Sequence, residues 1–213
     1  YGENAETDEE FRKRIRDYIT NIAFGGNIQD YRDKVLAMDG VGSVKVYPAW
    51  DGGGSVLVSV VSSDFTPMTS EALARIKNAL DPDDDTGQGY GLAPIGHFVT
   101  VTTATEVTLD VSVVADIVSS ADASAVNKQI KNVIVDYIND VRHEFGQNSK
   151  LSVYRSRIIQ KVLEEVTSVT NINLSDVLLN SKGEDVTYTD VAEENKQYLP
   201  KLRNVTVNQV LVN

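Results

Sequence analysis

Ser43-Val-Lys-Val-Tyr-Pro-Ala49 and Ser55-Val-Leu-Val-Ser-Val-Val61 are two short β runs separated by Trp50 and Asp51-Gly-Gly-Gly54. The glycines are free to take positive φ, so the passage predicts a hairpin. Upstream, Asn27 is a helix cap before Ile28, Tyr31, Val35 and Met38 at helical spacing, and Asp39-Gly40 ends that helix. Further upstream, Thr7-Asp-Glu-Glu10 has the form of a capping box, in which Thr7 and Glu10 satisfy each other's orphan amides. Phe11, Ile15, Ile19 and Ile22 follow as an apolar stripe, predicting a helix over about 8–22 that Gly25-Gly26 breaks. Downstream of the hairpin, Leu73, Ile76 and Leu80 predict a helix over 70–80, stopped at Asp81-Pro82. The first module, residues 1–97, is therefore expected to run ααββα.

Residues 81–97, Asp-Pro-Asp-Asp-Asp-Thr-Gly-Gln-Gly-Tyr-Gly-Leu-Ala-Pro-Ile-Gly-His, read as a turn-rich connector. Beyond them the period changes to two: Val107, Leu109, Val111 and Val113 alternate with Thr108, Asp110 and Ser112. That pattern is a strand with one wet face. Val126, Ile130, Val133, Tyr137 and Val141 form one stripe of a helix over about 121–144, and a second helix is expected over 152–165. Short strands are expected at Ile172–Leu178, Val186–Tyr188 and Val205–Val210. The second module, residues 98–213, thus reads βααβ plus terminal strands. The fold class is α+β, two modules with mixed or antiparallel sheets covered by helices. Tyr31-Arg32 before Lys34-Val-Leu36 resembles Tyr154-Arg155 before Lys161-Val-Leu163, each running into a strand. A diverged duplication and shared helix-to-strand chemistry both account for it.

Composition narrows the chemistry. The 213 residues hold 20 Lys and Arg against 31 Asp and Glu, net −11, with no cysteine and two histidines. An acidic chain repels phosphate backbones and anionic lipid, which argues against nucleic acid and membrane as partners. No apolar run approaches the roughly 20 residues of a membrane span, and the polar start is unlike a signal peptide. Tyr1 in place of methionine is expected of a piece of a longer protein. Without cysteine there are no disulfides, thiolate metal sites or cysteine nucleophiles, and His97 and His143 are too few for a histidine zinc site.

Each remaining constellation reads as architecture. Asp81, Asp83 and Asp85 match the first ligand positions of a calcium loop, but Thr86 stands where glycine is needed and Leu92 where a bidentate glutamate is needed. A solvated acidic turn is the expectation. Gly87-Gln-Gly89-Tyr-Gly91 follows a helix and contains no lysine, unlike a phosphate loop. There is no Gly-x-Ser-x-Gly elbow, and adjacent acidic pairs such as Glu164-Glu165 point in different directions on a helix. Tyr47 and Trp50 read as core anchors. No catalytic residue, cofactor site or metal site is expected, and the chain is read as a non-enzyme.

Taken in order, several stretches resemble the baseplate J-like family of contractile phage tails and phage-derived particles. They are Ala5–Ile15, Gly25-Gly-Asn27, Asp30-Tyr31, Gly40-Val-Gly-Ser-Val44, Pro48-Ala-Trp50, the connector Gly89-Tyr-Gly-Leu-Ala-Pro-Ile-Gly96 with Val99-Thr-Val101, Phe145-Gly-Gln147, Val153-Tyr-Arg-Ser156 and Val169–Leu174. The positions singled out, Thr7, Glu10, Gly25, Gly26, Asn27, Gly40, Gly89, Gly91, Pro94 and Gly96, are caps and turns. They are residues that preserve a shape. The resemblance implies a virion structural protein of the inner baseplate wedge, acting in tail assembly and contraction. Its implied contacts are other wedge proteins, the tail hub and further copies of itself, and its implied location is the virion baseplate, assembled in the bacterial cytoplasm. It also implies that a family N-terminal region used in wedge assembly lies outside this sequence, so the chain alone is expected to be a monomer or weak dimer. The competing reading is a peripheral receptor- or glycan-binding tail module.

Overall fold

The computed structural model describes residues 7–9, 11–12 and 25–212. The expected helix over 8–22 lies mostly outside them, as does Glu10 of the capping box; residues 8, 9, 11 and 12 are helical. From Gly25 the chain forms four helices and nine strands of an α+β fold.

Helix α1 (Ile28–Leu36) leads into the hairpin β1 (Val41–Pro48) and β2 (Ser55–Ser62). Helix α2 (Ser70–Leu80) then carries the chain to β3 (Phe98–Thr103), which lies parallel beside β2. The first sheet is therefore mixed, in order β1-β2-β3. The boundary drawn at residue 97 sets β3 with the second module, yet β3 hydrogen-bonds into the first sheet, so this sheet extends to Thr103. Its alternation (Val99, Val101 inward) matches the neighbouring strand, and pairing of that kind is decided by distant partners that local sequence does not contain. Tyr31 and Val35 of α1 and Ile76 and Leu80 of α2 pack on one face, against Val44, Val56, Val58, Val60 and Val99.

Strand β4 (Thr105–Val118) is the axis of the second sheet. Along one edge runs β9 (Tyr198–Val212), parallel to β4 from Thr105 opposite Tyr198 to Val118 opposite Val212. Arg203 is an extra residue in that ladder, between Leu202 opposite Leu109 and Asn204 opposite Asp110. Its guanidinium is spent on the Asp110 carboxylate, with Nε at 2.9 Å from Oδ1. The other edge of β4 takes β7 (Val177–Leu179) and β6 (Val169–Asn171), both antiparallel. Helices α3 (Ala123–His143) and α4 (Arg155–Glu165) cover the apolar face. Asp122 caps α3, accepting from Ser124 N at 2.9 Å. A separate antiparallel pair, β5 (Lys150–Val153) with β8 (Val186–Thr189), closes the end of the α3–α4 pair.

Three expectations change. Helix α4 starts at Arg155, because Lys150–Val153 pairs with Val186–Thr189 across 33 residues and more of chain, a partner invisible locally. The strand expected over 172–178 splits into β6 and β7 around a 3-10 turn at Leu174–Asp176, which Asn173 secures by donating from Nδ2 to Asp176 Oδ2 at 2.8 Å. The last strand is 15 residues long, not six.

Candidate functional site

The acidic turn after α2 is organised by one carboxylate. Asp81 is 2% exposed, contrary to the expectation of a solvated turn. It follows Leu80, so the helix end that buries Leu80 also carries Asp81 beneath the connector. Its Oδ1 accepts from Gly87 N at 2.8 Å, and its Oδ2 accepts from Val99 N at 3.0 Å, from the Thr86 hydroxyl at 2.5 Å and from Lys77 Nζ at 3.0 Å. Burial opposes its ionisation, but these donors outweigh burial and hold the carboxyl below the usual aspartate range. One buried charge thus joins the end of α2, the connector and the start of β3.

The rest of the connector is held by backbone. Leu92 N and Ala93 N donate to Ala79 O and Leu80 O at 3.0 and 2.8 Å, and Gly96 N donates to Gly87 O at 2.8 Å. Gly91 is required by approach: a Cβ there would lie 2.3 Å from Leu80 O. Gly89 adopts φ +79 with Ile95 packed over it, and Gly96 turns the chain with φ +82. Pro94 reaches Gly26, where an added Cβ would meet its ring at 2.6 Å. Gly25 N donates to Asp30 Oδ2 at 2.7 Å, and Asn27 caps α1 by accepting from Asp30 N at 2.9 Å. Gly40, with φ +81, ends the turn after α1. Gly25, Gly26, Asn27, Gly89, Gly91, Pro94 and Gly96 thus belong to the connector and to the start of α1 against it, while Gly40 lies in the turn after α1. Here too the phenol of Tyr31 shares a 2.9 Å hydrogen bond with His97 Nδ1. Burial, then the Asp81 charge, pushes the Tyr31 phenol far above its ordinary value, so it stays protonated.

A second polar group joins the two sheets. The alternation of β1 and β2 sends Val44, Val46, Val56, Val58 and Val60 toward the helices, and Lys45, Tyr47, Leu57, Ser59 and Val61 to the opposite face. That face is covered by the second sheet's elements. Lys45 Nζ donates to Asp190 Oδ2 at 2.5 Å and lies 4.2 Å from the centre of the Phe145 ring. The Tyr47 hydroxyl donates to the same oxygen at 2.8 Å. Burial lowers the Lys45 pKa against the opposing pull of Asp190. Arg142 of α3 makes the other link. It donates to Phe65 O from Nε (3.0 Å) and Nη2 (2.8 Å), to Pro200 O at 3.0 Å and to Glu106 Oε1 at 2.9 Å. Phe65 has φ +52, a strained setting for a side-chain-bearing residue, and Arg142 holds its carbonyl in place. The Phe65 ring rests on His143, with centroids 4.1 Å apart.

Sequence reading placed Asp81 in a solvated turn and missed Lys45, Asp190, Arg142 and Glu106. For Asp81 the signal was available, since Asp-Pro-x-x-x-Thr-Gly offers a hydroxyl and a glycine amide to a turning carboxylate. Lys45 and Asp190 are 145 residues apart, and nothing local pairs them. Trp50, expected as a core anchor, is half-buried at the hairpin tip and belongs to neither buried cluster. Among the described residues no group of three or more histidines and carboxylates is arranged to hold a metal ion, and no helix is long and apolar enough to cross a membrane.

Two mixed sheets, helices on one face of each and a charged seam between them define an α+β building-block fold. A chain of the cryo-EM structure of the anti-feeding prophage baseplate, six-fold symmetrised, has that fold: the alignment covers 93% of this chain and 42% of that one at TM-score 0.57 and 9% identity. Residues 23–103 match the family model of the Baseplate J-like central domain. The segment ends where β3 ends. Among relatives, the uncharacterized protein YqbT of Bacillus subtilis is 29% identical over 208 residues, and the phage-like element PBSX protein XkdT of the same organism is 28% identical over 208. Each match spans 97% of this chain and 55% of the relative, so the chain is about half the length of these curated relatives.

Proposed function

We propose that this chain is part of a structural protein of a phage-tail-like baseplate, in an infectious phage or a phage-derived particle. Within it, the protein acts as an inner wedge component in tail assembly and contraction, contacting other wedge proteins, the hub and further copies. The observation that carries this reading is the match of residues 23–103 to the Baseplate J-like central domain. The shared fold with a chain of the anti-feeding prophage baseplate is consistent with it. The physics agrees with a load-transmitting part. The buried ion pair Lys45–Asp190 and the Arg142 hydrogen bonds to Phe65 O fix the two parts relative to each other, and the recurring caps and glycines hold a shape. Deleting the gene in a particle-producing host tests it: purified particles should lack complete baseplates by electron microscopy, and the protein should be found in wild-type particles by mass spectrometry. Normal particles without the gene would overturn the proposal.

A further inference from the structure

The connector presents large apolar side chains outward from a rigid base. Tyr90 is 75% exposed, Ile95 82% and Phe98 52%. They are not loose. Ile95 packs over Gly89 and Phe98 over Gly87, where added Cβ atoms would lie 2.8 and 2.6 Å from their side chains. The loop beneath is tied by Asp81 and by the backbone bonds to Ala79, Leu80 and Gly87. Beside it, an apolar recess of about 190 Å³ is lined by Ile28, Val46, Pro48 and Val56 and shares Gly54 and His97 with the connector region. Gly54 touches both Gly96 and the Phe98 ring. Exposed aromatics and aliphatics held in a fixed arrangement bind at low entropic cost and are the usual anchors of a protein interface.

Charge decides what kind of partner fits. From residue 78 to residue 127 the sequence has no Lys or Arg, and the cation that reaches the acidic turn from outside that stretch is Lys77, 3.5 Å from Asp83. Asp83, Asp84 and Asp85 are the 3-10 turn at the connector's start. A second copy would bring the same acids against them. We infer that the Tyr90–Ile95–Phe98 surface docks a different protein, one whose contact face carries apolar residues ringed by Lys or Arg. The inference rests on the baseplate reading above and names the surface and partner chemistry for it.

The test places the photo-crosslinker benzoylphenylalanine at Ile95 of the full-length protein in its native host, with irradiation of purified particles. The expected product joins Ile95 to a different protein, at a segment with Lys or Arg within a few residues. The charge-reversed variant Asp83→Lys/Asp84→Lys/Asp85→Lys, with unchanged circular dichroism, should cut the yield at least about tenfold. If the protein is in the particles but the crosslink is absent, forms to a second copy, or survives charge reversal, the inference falls and the baseplate reading stands. If the protein is absent from the particles, both fall.

Discussion

Strands β2 and β4 are the central strands of their sheets, and water treats them differently. Val56 to Val61 of β2 are buried without a break, whereas β4 alternates buried Leu109, Val111, Val113, Ala115 and Ile117 with half-exposed residues. One face of β4 is covered by α3 and α4 and the other is left to solvent. β2 is covered on both sides, by α1 and α2 on one and by the second sheet's elements on the other. The first sheet's stability is therefore not its own. It includes the seam of Lys45, Tyr47 and Leu57, which ordinary strand alternation would have left wet.

The largest test of that difference is the seam charge. Asp190→Ala should destabilise the protein by about 4 kcal/mol, since it leaves the buried Lys45 ammonium and the Tyr47 hydroxyl without their acceptor. The triple variant Lys45→Met/Tyr47→Phe/Asp190→Leu should recover most of this loss in urea unfolding. No recovery would mean that the polar contacts themselves hold the seam. A smaller effect compares the two outward faces: Leu57→Ala should cost about 3 kcal/mol, and Thr108→Ala on the wet face of β4 less than about 0.5 kcal/mol. Similar values for both would erase the contrast.

A third effect is pH-dependent. The Asp81 carboxyl is held below its ordinary value, so its contribution is complete above about pH 4 and is lost as pH falls through the lower folded value. Asp81→Asn should cost about 1–2 kcal/mol at neutral pH. The gap between parent and variant should narrow as pH falls below about 4 and the parent loses its advantage. A constant gap in urea titrations would show that the charge of Asp81 is not what ties the connector.

The hairpin, α1, α2 and the wet-faced start of β4 were legible because each is set by local rules: the cap at Asn27, the stop at Asp81-Pro82, glycines in the turn, and periods of 3.6 and 2. The connector was legible as turns and as one of the stretches that resemble the baseplate J-like family. Its rigidity was not, because that depends on Asp81 meeting Gly87, Thr86 and Val99 at once. By itself, the sequence determined the fold class, the order of most elements and the absence of cysteine chemistry, all of which follow from composition and short-range geometry. Only the tertiary structure decided that β3 belongs to the first sheet, that β9 runs the full length of β4, and that Lys45 meets Asp190. Those outcomes join residues tens to more than a hundred positions apart, where pairing is chosen by burial and hydrogen-bond satisfaction across the whole molecule and leaves no mark on either segment alone.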